Sequence, residues 1–166
     1  MTIFRTDRLR LDVVDYTPDI QIRIRARDSY FEADCQIGPY LYNPSIKLGI
    51  EDVKKISLSL QTKMNDLRLA FEDDRDQEAH ALALKQLAEE GHYVFTEIFK
   101  EAVQKRLAQT LIAGKALVVQ ITSEEFSIPW DALYFQDLDK PFSFEYFLGM
   151  RHVVSRMVIQ IGRAHV

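Results

Sequence analysis

The chain has 166 residues, of which 47% are hydrophobic and 28% charged, and its formal net charge is −4. These values are typical of one globular domain or two small ones, and with six glycines and five prolines the chain is neither collagen-like nor disordered. A mildly acidic chain is poorly suited to binding nucleic acid or an anionic membrane through bulk charge, so neither partner is expected. The single cysteine, Cys35, excludes an intrachain disulfide and favours a reducing, cytoplasmic compartment.

Three short segments near the N-terminus alternate apolar and polar residues, the pattern of strands with one buried face. They begin at Leu9, Ile20 and Phe31. Turn-like residues separate them, so the sequence predicts an antiparallel β-meander over residues 8–37 that needs a covering helix. The pairs Gly38-Pro39 and Asn43-Pro44 then predict a loop over residues 38–49.

Helical spacing begins at Ile50, where apolar residues recur every three or four positions as far as Phe71. A second helical pattern covers about residues 77–111, with room for one break. We interpret the acidic run between them, Glu72–Glu78, as the turn of an antiparallel helical hairpin rather than a cation site. Gly91 interrupts the second helix at a cost of about 1 kcal/mol relative to alanine. A close helix crossing is the favoured explanation, and a kink is the alternative.

The periodicity changes again after Gly114. Residues Ala116–Ile121 are almost wholly apolar, which is typical of a strand buried on both faces of a parallel sheet. A short helix near Pro129, which Ser127 would cap, and a second strand over His152–Ile159 follow. The predicted fold class is therefore α+β.

No motif for metal, cofactor or nucleotide chemistry is present. The four histidines and Cys35 show no metal-ligand spacing, and Gly114-Lys115 lacks the remaining residues of a phosphate-binding loop. We therefore expect no cofactor and no metal. Cys35 falls on the apolar side of its strand, so we interpret it as a buried structural thiol rather than a nucleophile.

Two further patterns have a structural interpretation. Arg23, Arg25 and Arg27 share one strand face, which we interpret as solvated rather than as an anion site. Trp130 and Tyr134 are one helical turn apart after the apolar strand, and their size predicts core packing at the end of the sheet.

Two segments carry a resemblance to a known family. The first is an apolar strand, a turn and the heptapeptide Ile128-Pro129-Trp130-Asp131-Ala132-Leu133-Tyr134, here called the box, and the second, the FLG segment, is Phe147–Arg156. They resemble the opening of a CHAT domain, the caspase-like cysteine peptidase domain often found with TPR repeats. Asp131 and Ala132 depart from the family's (L/I)PWE(L/F)LYD pattern. The residues that match the family motifs, or stand at their positions, are Ile128, Pro129, Trp130, Asp131, Leu133, Tyr134, Phe147, Leu148, Arg151 and Arg156.

The upstream helix Leu87–Phe99 is also similar to the LGxxLYxxLF helix that precedes the box in many members. The resemblance implies a caspase-like α/β sheet and a Cys–His dyad, in which a thiolate attacks the scissile carbonyl. The dyad follows later strands of the family's sheet, so neither Cys35 nor His152 matches it. No catalytic residue is carried over, and the present chain is expected to be inactive.

The last six residues, Ile161–Val166, read as a translation of a widely used sequencing adapter. We therefore expect an artefactual tail over 161–166 and a natural protein that continues past Gln160. The strand over 116–121 would then lack neighbours, leaving an open edge and exposed apolar surface. The predicted regions are a small β region (1–48), a helical hairpin (49–114), the start of a truncated CHAT domain (115–160) and the tail.

The resemblance implies that the full-length protein is a cytoplasmic endopeptidase that acts on a protein substrate. Two alternatives stay open. One is a non-catalytic regulatory module that binds a protein partner through the helical hairpin. The other is a complete small α/β protein whose likeness to the family is accidental.

Overall fold

The computed structural model describes residues 17–72, 76–123 and 128–158. The predicted strand at Leu9, the cap at Ser127 and the terminal hexapeptide lie outside these residues. The elements are β1 (Ile20–Ala26), β2 (Tyr30–Ile37), β3 (Tyr40–Gly49), α1 (Ile50–Glu72), α2 (Gln77–Ile98), α3 (Glu101–Ile112), β4 (Val118–Ser123), α4 (Leu148–Arg151) and β5 (Val153–Val158), with 3-10 turns at Trp130–Ala132 and Phe144–Tyr146.

All five strands belong to one mixed sheet with the order β3-β2-β1-β4-β5. The first three strands pair antiparallel, whereas β4 pairs parallel with both β1 and β5. Asp19, just before β1, stabilises the parallel pairing of β1 with β4, because its carboxylate accepts a hydrogen bond from the Val118 N–H at 2.8 Å. The predicted α+β fold, with N-terminal antiparallel strands, central helices and further strands, is confirmed.

The predicted loop over residues 38–49 is wrong, because these residues form β3. Gly38 has φ of +56° and allows a two-residue turn, so that Ile37 pairs directly with Tyr40. The register shifts between Ala33 and Cys35 on the partner strand, opposite the part of β3 that contains Pro44. Proline is tolerated here because β3 is an edge strand with one unpaired side.

The helices form where the spacing predicts them. Helix α1 begins at Ile50, and α2 runs back alongside it, with Ser59 and Glu90 joined by a hydrogen bond of 2.7 Å. The predicted break in the second helix occurs at Phe99 and Lys100, whose backbones are extended. No helix in the described ranges is long and apolar enough to cross a membrane.

One face of the sheet is covered, and the other is mostly polar, with the apolar residues Val153 and Met157 of β5 as exceptions. Ile22 of β1 and Val119 of β4 meet Phe95 of α2, Leu107 of α3 and Leu148 of α4 around a shared interior space. Burial of this apolar face is the main stabilising contribution to the fold.

Charged side chains occupy the opposite face, as predicted for Arg23, Arg25 and Arg27. Arg23 is exposed, Arg25 lies 3.8 Å from Asp34, and Arg27 lies 3.0 Å from Glu32. Arg25 and Arg27 thus pair with carboxylates of β2, and Arg23 donates to the Gln21 side-chain oxygen at 3.0 Å, which favours the solvated-face interpretation over an anion site.

Two expectations about β4 are wrong. Its residues alternate between buried and half-buried, so it is not fully buried on both faces. It also has a neighbour on each side, because β1 and β5 flank it. Among the described residues the open edges belong to β3 and β5, and β5 exposes Val153 (59%) and Met157 (50%).

Candidate functional site

The box forms a short 3-10 turn beyond the end of β4. Trp130 is 2% exposed and Tyr134 is 1% exposed, so the predicted core packing of both rings is confirmed. Ile128 and Leu133 are equally buried, and Asp131 is the exposed residue of the turn. The box is therefore an apolar plug with one charged group at its surface.

The FLG segment returns to the box and pairs with it through the backbone. Leu148 donates its N–H to the Leu133 carbonyl at 2.9 Å, and Tyr134 and Phe147 form an antiparallel bridge. Phe135 also donates its N–H to the carbonyl of Tyr146 at 3.0 Å. The structure therefore brings together the two segments that the sequence singled out.

Aromatic side chains fill the space between the two segments. The Tyr134 ring meets Phe147 edge-on at 5.1 Å and stacks against Phe142 at 5.9 Å. Its hydroxyl accepts a hydrogen bond from the Ser143 N–H at 3.3 Å, and burial raises the pKa of Tyr134 above its usual range. The phenol is therefore a neutral structural group at physiological pH.

The charged residues of the FLG segment have two different partners. Arg156 of β5 forms an ion pair with Asp131 of the box, and both side chains are about half exposed. Arg151 donates to the Gly114 carbonyl at 2.6 Å and lies 3.7 Å from Glu145. Arg156 thus joins β5 to the box, whereas Arg151 holds the connection between α3 and β4.

Helix α2 docks on the box at Gly91. A Cβ placed on Gly91 would lie 2.2 Å from the carbonyl oxygen of Ala132, so only glycine fits this approach. The neighbouring His92 donates from Nδ1 to the Tyr134 carbonyl at 3.1 Å. The close approach expected at Gly91 is present, but it is to the backbone of the box rather than to another helix.

Gly149 is a box contact that the sequence analysis missed. A Cβ on this residue would lie 2.5 Å from Cβ of Asp131, so α4 packs directly on the 3-10 turn. The sequence signal that could have indicated this contact was the position of Gly149 inside the FLG segment.

His152 is a second functional candidate. The sequence shows neither metal-ligand spacing for it nor a match to the family's catalytic histidine. The side chain is buried, with 4% exposure. Its Nδ1 accepts from the Leu117 N–H at 2.9 Å, and its Nε2 donates to the Leu111 carbonyl at 3.0 Å. Burial, followed by the nearby Arg151 charge, lowers the pKa of the imidazole.

Cys35 has no catalytic geometry. It is fully buried, and burial raises the pKa of its thiol to about 12. It lies on β2, three strand spacings from β5 and hence about 14 Å from the strand that follows His152. Among the described residues there is also no group of three or more potential metal ligands.

A groove of about 400 Å³ opens beside the box, between α2 and the segment that follows Tyr134. Leu84, Ala88 and Phe142 give it apolar walls, and Lys85 and Lys140 lie on its lining. Glu89 also lies on the lining, so the groove combines apolar walls with charged groups of both signs, as a packing or binding surface does.

Comparison with known proteins adds no assignment: no family model, no curated protein and no solved structure matches this chain.

Proposed function

We propose that this chain is the N-terminal region of a CHAT-like protein whose full-length form is a cytoplasmic caspase-like cysteine endopeptidase. In this proposal the region supports the peptidase sheet and has no peptidase activity of its own. The observation that carries it is the junction of three separate segments of the chain: the α2 helix, the box and the FLG segment.

Each family-like segment contacts the next at a residue that belongs to its motif. Gly91 of the helix meets the backbone of the box, Leu148 of the FLG segment bonds to Leu133, and Arg156 pairs with Asp131. A chance likeness in three separate segments would not require them to form one contact unit. The junction therefore supports the resemblance on grounds independent of the motif letters.

The sheet is compatible with a longer parallel array. Strands β1, β4 and β5 run parallel, and the outer edge of β5 presents backbone donors and acceptors to which a further strand can bind. In the proposed full-length protein, a histidine and a cysteine follow such added strands. The histidine takes the thiol proton, and the thiolate attacks the scissile carbonyl carbon of a protein substrate.

The proposal makes two experimental demands. The purified chain should hydrolyse no member of a fluorogenic peptide library and should not react with a thiol-directed peptidase probe, because Cys35 is fully buried and burial raises the pKa of its thiol. The uninterrupted parental gene, read past the codon for Gln160, should encode a histidine and a cysteine after successive strand patterns. A parental gene without that pair would exclude the endopeptidase assignment. Hydrolysis by the present chain would contradict the proposal that this region has no peptidase activity of its own.

A non-catalytic module that binds a protein partner is the second candidate. It is favoured by large apolar side chains exposed on the helical hairpin, among them Leu58 (66%), Leu82 (57%) and Leu69 (49%). A full-length protein that lacks the dyad and loses a partner on Leu58→Lys substitution would support this candidate over the peptidase.

A further inference from the structure

The His152 ring joins three elements that are separate in sequence. Through Nε2 it binds the end of α3 at the Leu111 carbonyl, and through Nδ1 it binds the backbone just before β4 at the Leu117 N–H. The next residue, Val153, begins β5 and donates its N–H to the Leu117 carbonyl at 2.9 Å. The start of β5 is therefore held to α3 and β4 through one buried imidazole.

Both hydrogen bonds require the neutral ring. A backbone N–H donates to Nδ1, so this nitrogen must carry a lone pair, while Nε2 carries the single proton. An imidazolium has an N–H at both positions, and its Nδ1–H would face the Leu117 N–H. The buried site would then contain two opposed donors and an unpaired charge.

The hydrogen bond to the Leu111 carbonyl favours a positive ring, but burial outweighs it. Arg151, the adjacent residue, adds a cation, and its nearest carboxylate, Glu145, is largely exposed. The ring of Phe135 lies 5.7 Å away and covers the imidazole with an apolar surface. Of the remaining charged groups on the elements around the ring, Lys115 in the α3–β4 connection and Asp137 beyond Phe135 are both exposed.

We propose that His152 is an acid-sensitive latch, which holds the start of β5 closed while neutral and releases it from α3 and β4 when protonated. The release frees the edge strand of the sheet and the connection over residues 113–117. The antiparallel strands β1, β2 and β3 do not depend on this ring and stay folded.

The direction of the pH dependence follows from the lowered pKa of His152. In the open state the ring has its ordinary pKa of about 6.5, so it takes up a proton at a higher pH than the closed state does. The latch is therefore fully effective above about pH 6.5 and weakens as the pH falls below that value.

Amide hydrogen exchange and ring titration of the full chain test this latch. Between pH 7.5 and pH 5.5, after correction for intrinsic exchange, protection of the Leu117 and Val153 amides should fall by up to about tenfold. Protection of Ile22, in the centre of β1, should stay constant. The ring nitrogens of His152 should report the neutral Nε2–H form at pH 6.5.

Two variants separate the latch from general acid sensitivity. In His152→Asn, amide protection at Leu117 and Val153 should no longer depend on pH. In the control His92→Asn, the pH dependence of that protection should remain. Retention of the pH dependence in His152→Asn, or an equal loss of protection at Ile22, would overturn the proposal. If His152→Asn does not fold, the ring titration of the unchanged protein decides, and a ring that ionises at its ordinary pKa with full amide protection refutes the latch.

Discussion

The substitution Gly91→Ala adds one methyl group and directly tests the contact between α2 and the box. In open space, alanine at a helical glycine position would stabilise the fold by about 1 kcal/mol. Here the added Cβ would lie 2.2 Å from the Ala132 carbonyl oxygen, which is backbone and moves only with the whole box. The steric cost therefore exceeds the gain in helix propensity.

We expect Gly91→Ala to lower the free energy of unfolding by about 1–3 kcal/mol, the range typical of an overpacked site. Urea denaturation followed by circular dichroism measures this change. The matched control Glu89→Ala, at an exposed position of the same helix, should change stability by less than about 0.5 kcal/mol. A stabilised Gly91→Ala protein would contradict the close approach.

Cys35 provides the second prediction at the residue scale. At pH 8 the folded protein should not react with Ellman's reagent, because the side chain is fully buried and the pKa of its thiol is raised to about 12. The same chain unfolded in urea should release one equivalent of the coloured thiolate within minutes. Rapid reaction of the folded protein would show that β2 opens or that the thiol is activated.

The sequence could predict the burial or the required residue type at single positions, but not the contact partners of those residues. The burial of Cys35 was predictable, because strand alternation assigns a face without knowledge of the partner. The need for glycine at position 91 was also visible, but its partner Ala132 was not, because that contact joins distant parts of the chain. The bonds of His152 have backbone partners, which leave no sequence signature.

Elements with strong periodicity were predicted well. The start of α1 at Ile50 and the strand after His152 follow from local patterns. A single break in the second helix was also expected, but its position at Phe99 and Lys100 was not. Strand β3 was missed because Gly38, Pro39 and Pro44 are breakers in most contexts. The sequence could not reveal that this strand lies at a sheet edge. There, the missing N–H of a proline can face the unpaired side, so no hydrogen bond between strands is lost.

The ion pair between Asp131 and Arg156 should contribute little to stability although it joins two elements. Both side chains are about half exposed, so solvent screens the attraction. A double-mutant cycle with Asp131→Asn and Arg156→Gln should give a coupling of about 0–1 kcal/mol that falls in 1 M salt. The exposed helical pair Arg68 and Glu72 is the reference, and coupling well above it would assign the junction a larger electrostatic role.

Among the described residues the sheet ends at β3 and β5, and both edges expose large apolar side chains, Tyr40 and Leu41 on β3 and Val153 and Met157 on β5. Strand β3 contains Pro44, which has no N–H to donate to an added strand, so we expect association at β5. Its exposed residues Val153 and Met157 lie on the uncovered face of the sheet, in register with Val118 and Thr122. An exposed apolar edge strand is a template for pairing with another chain. The sequence predicted an open edge at β4 instead, which is wrong, because the parallel pairing of β4 with β5 was not foreseen.

We expect the chain to self-associate at high concentration and the substitution Met157→Lys to reduce that association. Sedimentation velocity over a range of concentrations measures it. Leu58→Lys, which places the same charge on a more exposed apolar site of α1 (66% against 50% for Met157), should leave association unchanged. Sedimentation that does not depend on concentration, or an equal effect of Leu58→Lys, would argue against the β5 edge as the associating surface.

The bond from Asp19 to Val118 spans 99 positions, and this separation has a consequence for synthesis on the ribosome. Strand β1 leaves the exit tunnel long before its parallel neighbour β4 has been translated. At a rate of about 5–20 residues per second, its inner edge waits about 5–20 seconds for that neighbour. During this interval a nascent chain can be captured by a chaperone, and slower translation should prolong the opportunity.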